Sequence, residues 1–306
     1  MNETAPDLIL PDRLKRGDTV GIAIPAGPII REDEFATGVR LLTDMGYKVR
    51  IPPDYKRMNS YLAGTDKERA AELNSFFADP EIKAIVAARG GYGSLRIVAD
   101  LDMASIKRNP KIIIGFSDIC VLLTAIHRNT GLVTFHGPML STLQRLNSHF
   151  HESFFSMLAK PDPQTIKPSG LEILIKGSAR GKLVGGNLTN LLHLLATPFE
   201  LSWENCILFL EDVNESSYRV DRILTHLKHA GRLDSVRGLI LGTFENCDNM
   251  ENIWARAMEL FGDTNIPIWA NFPTGHGENN QILPIGVEAE MDGATGKLKF
   301  LGPCIA

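Results

Sequence analysis

The sequence has few cysteines and no CxxC pair: Cys120, Cys206, Cys247 and Cys304 are scattered along 306 residues. That spacing excludes a disulfide scaffold and a zinc ribbon, and the thiols are expected to be reduced. A block of Lys and Arg is missing as well. With 32 basic and 36 acidic residues the net charge is −4, so nothing marks a surface for nucleic acid or an anionic membrane. Long apolar runs are also absent. The richest, Lys111-Ile-Ile-Ile-Gly-Phe and Cys206-Ile-Leu-Phe-Leu, are strand-sized, far short of the roughly 20 residues that cross a bilayer. The opening Met1-Asn-Glu-Thr-Ala-Pro-Asp-Leu-Ile-Leu-Pro carries an early acid and two prolines in place of the basic start and apolar stretch of a secretory signal. The expectation is a soluble, cytoplasmic chain without nucleic-acid or membrane partners. What is present is an ordinary globular balance, 44% hydrophobic and 22% charged. At roughly 150 residues per domain, this length suggests two domains.

The first half alternates strand and helix patterns. Thr19-Val-Gly-Ile-Ala-Ile is β-rich and precedes a helical pattern from about Asp33 to Met45, which Gly46 ends. Thr65-Asp66 reads as a helix cap, with Ala70, Leu73, Phe76 and Phe77 recurring at helical spacing behind it. Ile82 to Ala88, Lys111 to Ile114 and Leu132 to Phe135 read as buried strands, with helical segments at Ser94–Asp100 and Asp118–Arg128 between them. Repeated βα units predict an open, mostly parallel sheet covered by helices on both faces. The rhythm then changes: Pro161, Pro163 and Pro168 mark a linker over 161–175. This divides the chain into a nucleophile-bearing α/β domain, 1–160, and a smaller β-rich domain, 176–306. In the second, Ile207–Leu210 and Gly238–Leu241 read as strands, and alternation at Val287, Ala289, Met291, Leu298 and Phe300 predicts antiparallel strands at the end.

Chemistry concentrates at a few points. In Ile114-Gly-Phe-Ser117-Asp118-Ile a strand runs directly into a helix, which places Ser117 on a sharp turn with backbone N–H groups behind it. That is the mechanics of a nucleophile elbow, although the glycine expected after it is Ile119. The alternative is a plain Ser-Asp helix cap. The loop Arg89-Gly90-Gly91-Tyr-Gly93-Ser94 follows another strand and falls on the same carboxyl edge of the sheet, where ligands usually bind. It lacks a P-loop lysine and a complete G-x-G-x-x-G, so phosphate or dinucleotide binding is not indicated and no cofactor is expected. An oxyanion hole built from the Gly91 and Asp118 N–H groups fits, and so does an ordinary tight turn. Of eight histidines, His276 lies in the turn-rich Pro273-Thr-Gly-His-Gly loop, where a ring can be presented to a cleft. His226 and His229 fall on an amphipathic helix. His127, His136 and His193 flank apolar runs and read as structural. His149-Phe-His151 has no third ligand at metal spacing, so no metal site is expected. Glu211, at the end of an apolar strand, can orient a histidine or make a strand-end ion pair, with Asp212 on the opposite face.

The combination resembles a known family. Arg89-Gly-Gly-Tyr-Gly, Gly115-Phe-Ser-Asp, Gly185-Gly-Asn-Leu, Leu210-Glu-Asp-Val-Asn-Glu and Gly275-His-Gly stand in the order of the LD-carboxypeptidases, the S66 serine peptidases. The opening Leu14-Lys-Arg-Gly-Asp-Thr-Val-Gly-Ile and the segment Tyr218-Arg-Val-Asp-Arg are similar too, so the resemblance runs from about residue 12 to 300. It implies a flavodoxin-like (class I glutamine amidotransferase-like) N-terminal domain, a β-rich, barrel-like C-terminal domain, and an active site between them. It further implies a Ser117, Glu211, His276 triad, with Glu215 a second candidate for the acid, oxyanion donors at Gly91 and Asp118, a homodimer and no metal. The implied substrate is the cytoplasmic murein tetrapeptide, losing its terminal D-alanine during peptidoglycan recycling. Its carboxylate calls for a cation, for which Arg89 is a candidate. Two rivals remain at this point. One is the family's microcin-immunity branch, which cleaves peptidyl-adenylate amides; the other is a non-catalytic two-domain binding protein.

Overall fold

The computed structural model describes residues 6–264 and 266–306. Apolar runs became parallel strands where the chain could cover both faces: β1 (Thr19–Ala23), then, beyond the edge strand β2 (Lys48–Arg50) with its exposed Lys48 and Arg50, β3 (Ile82–Ala87), β4 (Ile112–Gly115) and β5 (Thr134–His136). In β3 every side chain except Lys83 is buried, and all of β4 is, the near-continuous hydrophobicity that a doubly covered parallel strand requires. Helix Asp66–Ala78 flanks this sheet and opens with a capping box in which Thr65 and Glu68 satisfy each other's backbone N–H groups.

Nine further strands follow: β6 (Thr165–Ile166), β7 (Glu172–Ile175), β8 (Ala179–Asn187), β9 (Cys206–Val213), β10 (Gly238–Glu245), β11 (Ile268–Ala270), β12 (Leu283–Ile285), β13 (Glu288–Asp292) and β14 (Lys297–Phe300). Eight of them form a mixed sheet in the order β6-β14-β13-β8-β9-β10-β11-β7, which curls as a half-barrel. Its centre, β8 to β11, is parallel, and antiparallel strands flank it on both sides. The predicted tail hairpin is β13 and β14, paired antiparallel through Met291 and Leu298.

Two features depart from the segment-by-segment reading. Residues 161–175, read as a linker, carry β6 and β7, which close opposite edges of the second sheet. β12 leaves the second half of the chain and pairs antiparallel with β5, Leu283 opposite His136, so the first sheet runs β12-β5-β4-β3-β1-β2. Helix Cys120–Thr130, buried over most of its surface, packs against β5 of one sheet and β8 of the other. Its first two turns, Cys120 to Ile126, are buried on every side, as befits a helix between two layers. No helix among the described residues is long and apolar enough to cross a membrane.

Candidate active site

Ser117 begins the short 3-10 turn, Ser117–Ile119, that joins β4 to helix Cys120–Thr130. Its φ is +61°, a left-handed conformation that costs a non-glycine residue roughly 1–3 kcal/mol and persists only where the surroundings enforce it. The surroundings are the glycine loop after β3. A side-chain carbon built on Gly90 would stand 3.0 Å from Ser117 Cβ, 3.1 Å from its Oγ and 3.6 Å from the Asp118 nitrogen. Gly90 thus faces the hydroxyl and the adjacent N–H, and its missing side chain keeps the space beside them open. The Asp118 carboxylate is buried and accepts the Ser94 N–H at 2.9 Å, tying the elbow to the far end of the same loop. From the other side the fully buried Arg69 donates to the carbonyls of Gly93 and Pro25.

Glu211 does not end its strand. β9 continues to Val213, and Glu211 sits inside it, paired with Asn187 of β8 and fully buried. The two acids point to opposite faces as a strand dictates: Asp212 accepts from Asn187 Nδ2, Thr189 N and Thr189 Oγ1 at 2.8–3.0 Å. Glu211 Oε2 meets His276 Nδ1 at 2.7 Å. Burial pushes the Glu211 carboxyl up, but the His276 charge and hydrogen bond and the His136 ring outweigh it and bring it down to about 2. Burial also pulls the His276 imidazole down, and the Glu211 charge and hydrogen bond outweigh that, so its pKa is raised above 6.5. The ring leans edge-on against Phe116, the residue preceding Ser117, with centroids 4.8 Å apart.

The His276 loop is held where only glycine fits. Gly275 has φ +113°, and a Cβ there would lie 2.6 Å from Glu211 Oε2. The loop is pinned by the Gly275 N–H to Asn280 Oδ1, 2.9 Å, and by the Thr243 N–H to the Thr274 carbonyl, 2.9 Å. Gly275→Ala is therefore expected to displace His276, lowering the unfolding free energy by at least about 2 kcal/mol and reducing kcat. Urea denaturation alongside initial rates checks this.

The structure thus brings Glu211, and not Glu215, to the histidine. Glu215 sits beside Arg219 at 3.5 Å. Arg89 is half-buried, donates to the Pro28 carbonyl at 2.9 Å, and lines a cavity of about 650 Å³ together with Gly91, Tyr61 and Tyr92. His193, read as structural, is exposed. His136 is fully buried as expected, yet its Nε2 faces Glu211 Oε1 at 3.8 Å. Apolar flanks in the sequence predicted its burial but could not name that neighbour. Gly90 was visible in the glycine loop, but spacing alone did not single it out from Gly91. Cys120 adds a third group: Cys120, His136 and Glu211 each place a donor atom within 4.8 Å of the others. Burial, then the Glu211 charge, raises the Cys120 thiol well above its ordinary value, so it remains a neutral wall.

A serine presented on a strained strand-to-helix turn, near a histidine bonded to a dry carboxylate, is the equipment of a serine hydrolase that works through an acyl-enzyme. Comparison with known proteins carries this class to a family. Residues 20–137 match the LD-carboxypeptidase N-terminal domain and residues 180–291 the LD-carboxypeptidase C-terminal domain. The chain belongs to the LD-carboxypeptidase family and is a serine carboxypeptidase. It is 39% identical to the "Probable murein peptide carboxypeptidase" of Bacillus subtilis, over 93% of this chain and 92% of that one. It is 33% identical to the murein tetrapeptide carboxypeptidase of Pseudomonas aeruginosa, over 90% and 93%. Among solved structures, the microcin C7 self-immunity protein MccF superposes with a TM-score of 0.92 at 27% identity, covering 97% of this chain and all of the other. Family membership sets aside the reading as a non-catalytic binding protein.

Proposed function

We propose that this chain hydrolyses the amide bond that joins the terminal D-alanine to the preceding L-configured centre of a murein tetrapeptide. The observation that carries the reading is the buried Glu211–His276 pair, bonded at 2.7 Å beside the strained turn of Ser117. Names of relatives 33–39% identical over nine-tenths of the chain support the substrate class. In this reading His276 Nε2 takes the Ser117 proton as Oγ attacks the carbonyl carbon. The oxyanion is received by the Gly91 and Asp118 N–H groups, each such donor lowering the barrier by about 3–4 kcal/mol. His276 then returns the proton to the departing D-alanine nitrogen, the C–N bond breaks, and water attacking through the same histidine frees Ser117. Glu211 holds the imidazole tautomer and balances the imidazolium. Arg89 binds the D-alanine carboxylate at the cavity mouth.

The same reading takes residues 1–160 as the nucleophile domain and 176–306 as the domain supplying Glu211 and His276. The 2-1-3-4-5 order of the first five strands supports a flavodoxin-like label for the former. On the family resemblance, the same reading proposes a cytoplasmic homodimer acting in peptidoglycan recycling.

A second reading, cleavage of an aminoacyl or peptidyl adenylate amide, is favoured by the similarity to MccF, one structure of which holds aspartyl sulfamoyl adenosine. The purified enzyme offered L-Ala-γ-D-Glu-meso-diaminopimelate-D-Ala and, separately, aspartyl sulfamoyl adenosine decides between them. D-alanine release from the peptide, with the sulfamoyl compound intact, is expected. Turnover of the sulfamoyl compound alone would overturn the murein reading.

A further inference from the structure

Two polar atoms in the buried centre of the site have no hydrogen-bond partner among the described residues: His136 Nε2 and Glu211 Oε1. They belong to fully buried side chains and face each other at 3.8 Å. Leaving either unpaired costs about 1–3 kcal/mol, more for the charged one. An approach of roughly 1 Å would bring the pair to hydrogen-bond distance and satisfy both. The remaining contacts of the ring are compatible with that pairing. Nδ1 lies 3.3 Å from the Thr274 hydroxyl, which also stands 3.0 Å from the Gln281 carbonyl and 3.3 Å from Asn280 Oδ1, so its single proton has three acceptors within reach and the tautomer of the ring is set by what faces Nε2. Phe116 and Phe209 wall the ring edge-on with centroids at 6.0 and 5.1 Å, so the imidazole cannot turn away. Nε2 without a proton would set two lone pairs against each other between fully buried side chains. With a proton it donates to the carboxylate.

The position in the fold gives this contact its consequence. His136 ends β5 of the first sheet, Glu211 lies in β9 of the second, and Thr274 precedes His276 by two residues. Glu211 Oε2 is taken by His276. One carboxylate oxygen thus serves the histidine of the site, and the other faces a histidine from the opposite layer.

We propose that His136 is a positioning residue: its Nε2–H donates to Glu211 Oε1 and fixes the carboxylate so that Oε2 stays aimed at His276 Nδ1. The proposal rests on Glu211 as the acid of the triad. It acts through Glu211 and makes no contact with substrate.

The test compares His136→Gln with His136→Met. The two side chains are alike in length, and only Gln has an amide N–H to offer where Nε2 stands. In the Met variant kcat for D-alanine release is expected to fall about 10- to 100-fold, the worth of one hydrogen bond to a charged group, with KM within about twofold. Its kcat/KM profile should move its acid limb down, because a carboxylate free to turn keeps its charge but gives up the hydrogen bond that helps to raise the His276 pKa. Gln should restore most of kcat and return the limb toward that of the unsubstituted enzyme. Melting temperatures of both variants separate this from damage to packing, which would lower stability without moving the limb. Equal activity in Gln and Met, or an unmoved acid limb in Met, overturns the positioning role. Glu211→Gln and Ser117→Ala, run alongside, separate the two levels. If Glu211→Gln keeps wild-type turnover, the triad reading falls and this proposal falls with it. If Glu211→Gln is inactive while Met matches the unsubstituted enzyme, the triad stands and only the role of His136 is lost.

Discussion

Replacing Ser117 by Ala is expected to reduce D-alanine release from the tetrapeptide by about 10⁶-fold while the enzyme still folds and binds. The expectation follows from where the residue sits. Its φ of +61° is equally awkward for Ala and Ser, so the substitution neither relieves nor adds backbone strain. The hydroxyl is half-buried in a space that Gly90 leaves open, so its removal creates no cavity in the core. Only the attacking oxygen is lost. In serine hydrolases, removal of the nucleophile disables the linked residues as a unit, leaving the small acceleration supplied by binding and the oxyanion donors. Peptide binding by calorimetry should match the unsubstituted enzyme to within a few fold, and the melting temperature should barely move. Turnover within tenfold of wild type would exclude Ser117 as the nucleophile and leave the elbow as a helix cap.

The parts of this molecule that could be read from the sequence are those set by local physics. Unbroken apolar runs such as Ile112–Ile114 have no polar side to show, so they announced buried parallel strands. The alternation at Val287, Ala289 and Met291 announced strands with one wet face, and β13 is one. Thr65 with Glu68 announced a helix start. What stayed hidden depends on partners far away in the chain. β12 contains Pro284, which cannot donate to a ladder, and it survives as a three-residue strand at the edge of the first sheet. Nothing in its own residues points to β5. The prolines of 161–175 masked two short edge strands for the same reason.

The candidate site shows the same division. Ser117 and the glycine loop follow strands of one parallel sheet and so had to meet at its carboxyl edge. Glu211 and His276 were legible as residue types suited to the chemistry, and the family resemblance joined them. Their 2.7 Å contact depends on Gly275 allowing the loop to pass within reach of the carboxylate. Arg69 shows the limit from the other side. Its helix reads as charged and amphipathic, yet this guanidinium is fully buried because the carbonyls of Pro25 and Gly93 receive it. A side chain that holds together two distant loops leaves no periodic trace.

Glu211→Gln is the second substitution with a large expected effect, and it predicts a rate and a pH profile together. In the proposed mechanism the imidazole must be neutral to accept the Ser117 proton, and the Glu211 charge raises its pKa above 6.5. Activity should therefore climb with pH through a midpoint above that value. Glutamine removes the largest charge that raises the His276 pKa but leaves the burial that lowers it, so the acid limb should move down. The rate should nevertheless fall by about 10⁴-fold. If His136 donates to one end of the amide, the oxygen turns toward His136 and the NH₂ toward His276 Nδ1. The imidazole then has to accept at Nδ1 and carry its proton on Nε2, where it cannot take one from Ser117. A limb that shifts down while the plateau drops four decades is the combined outcome expected of a triad acid, and initial rates from pH 5 to 9 measure both. A strand-end ion pair would instead lose stability on substitution, with the limb unmoved and the plateau within about tenfold of wild type. Glu215→Gln supplies the contrast: its carboxylate lies against Arg219 and not against the histidine, so its pH profile should overlay that of the unsubstituted enzyme.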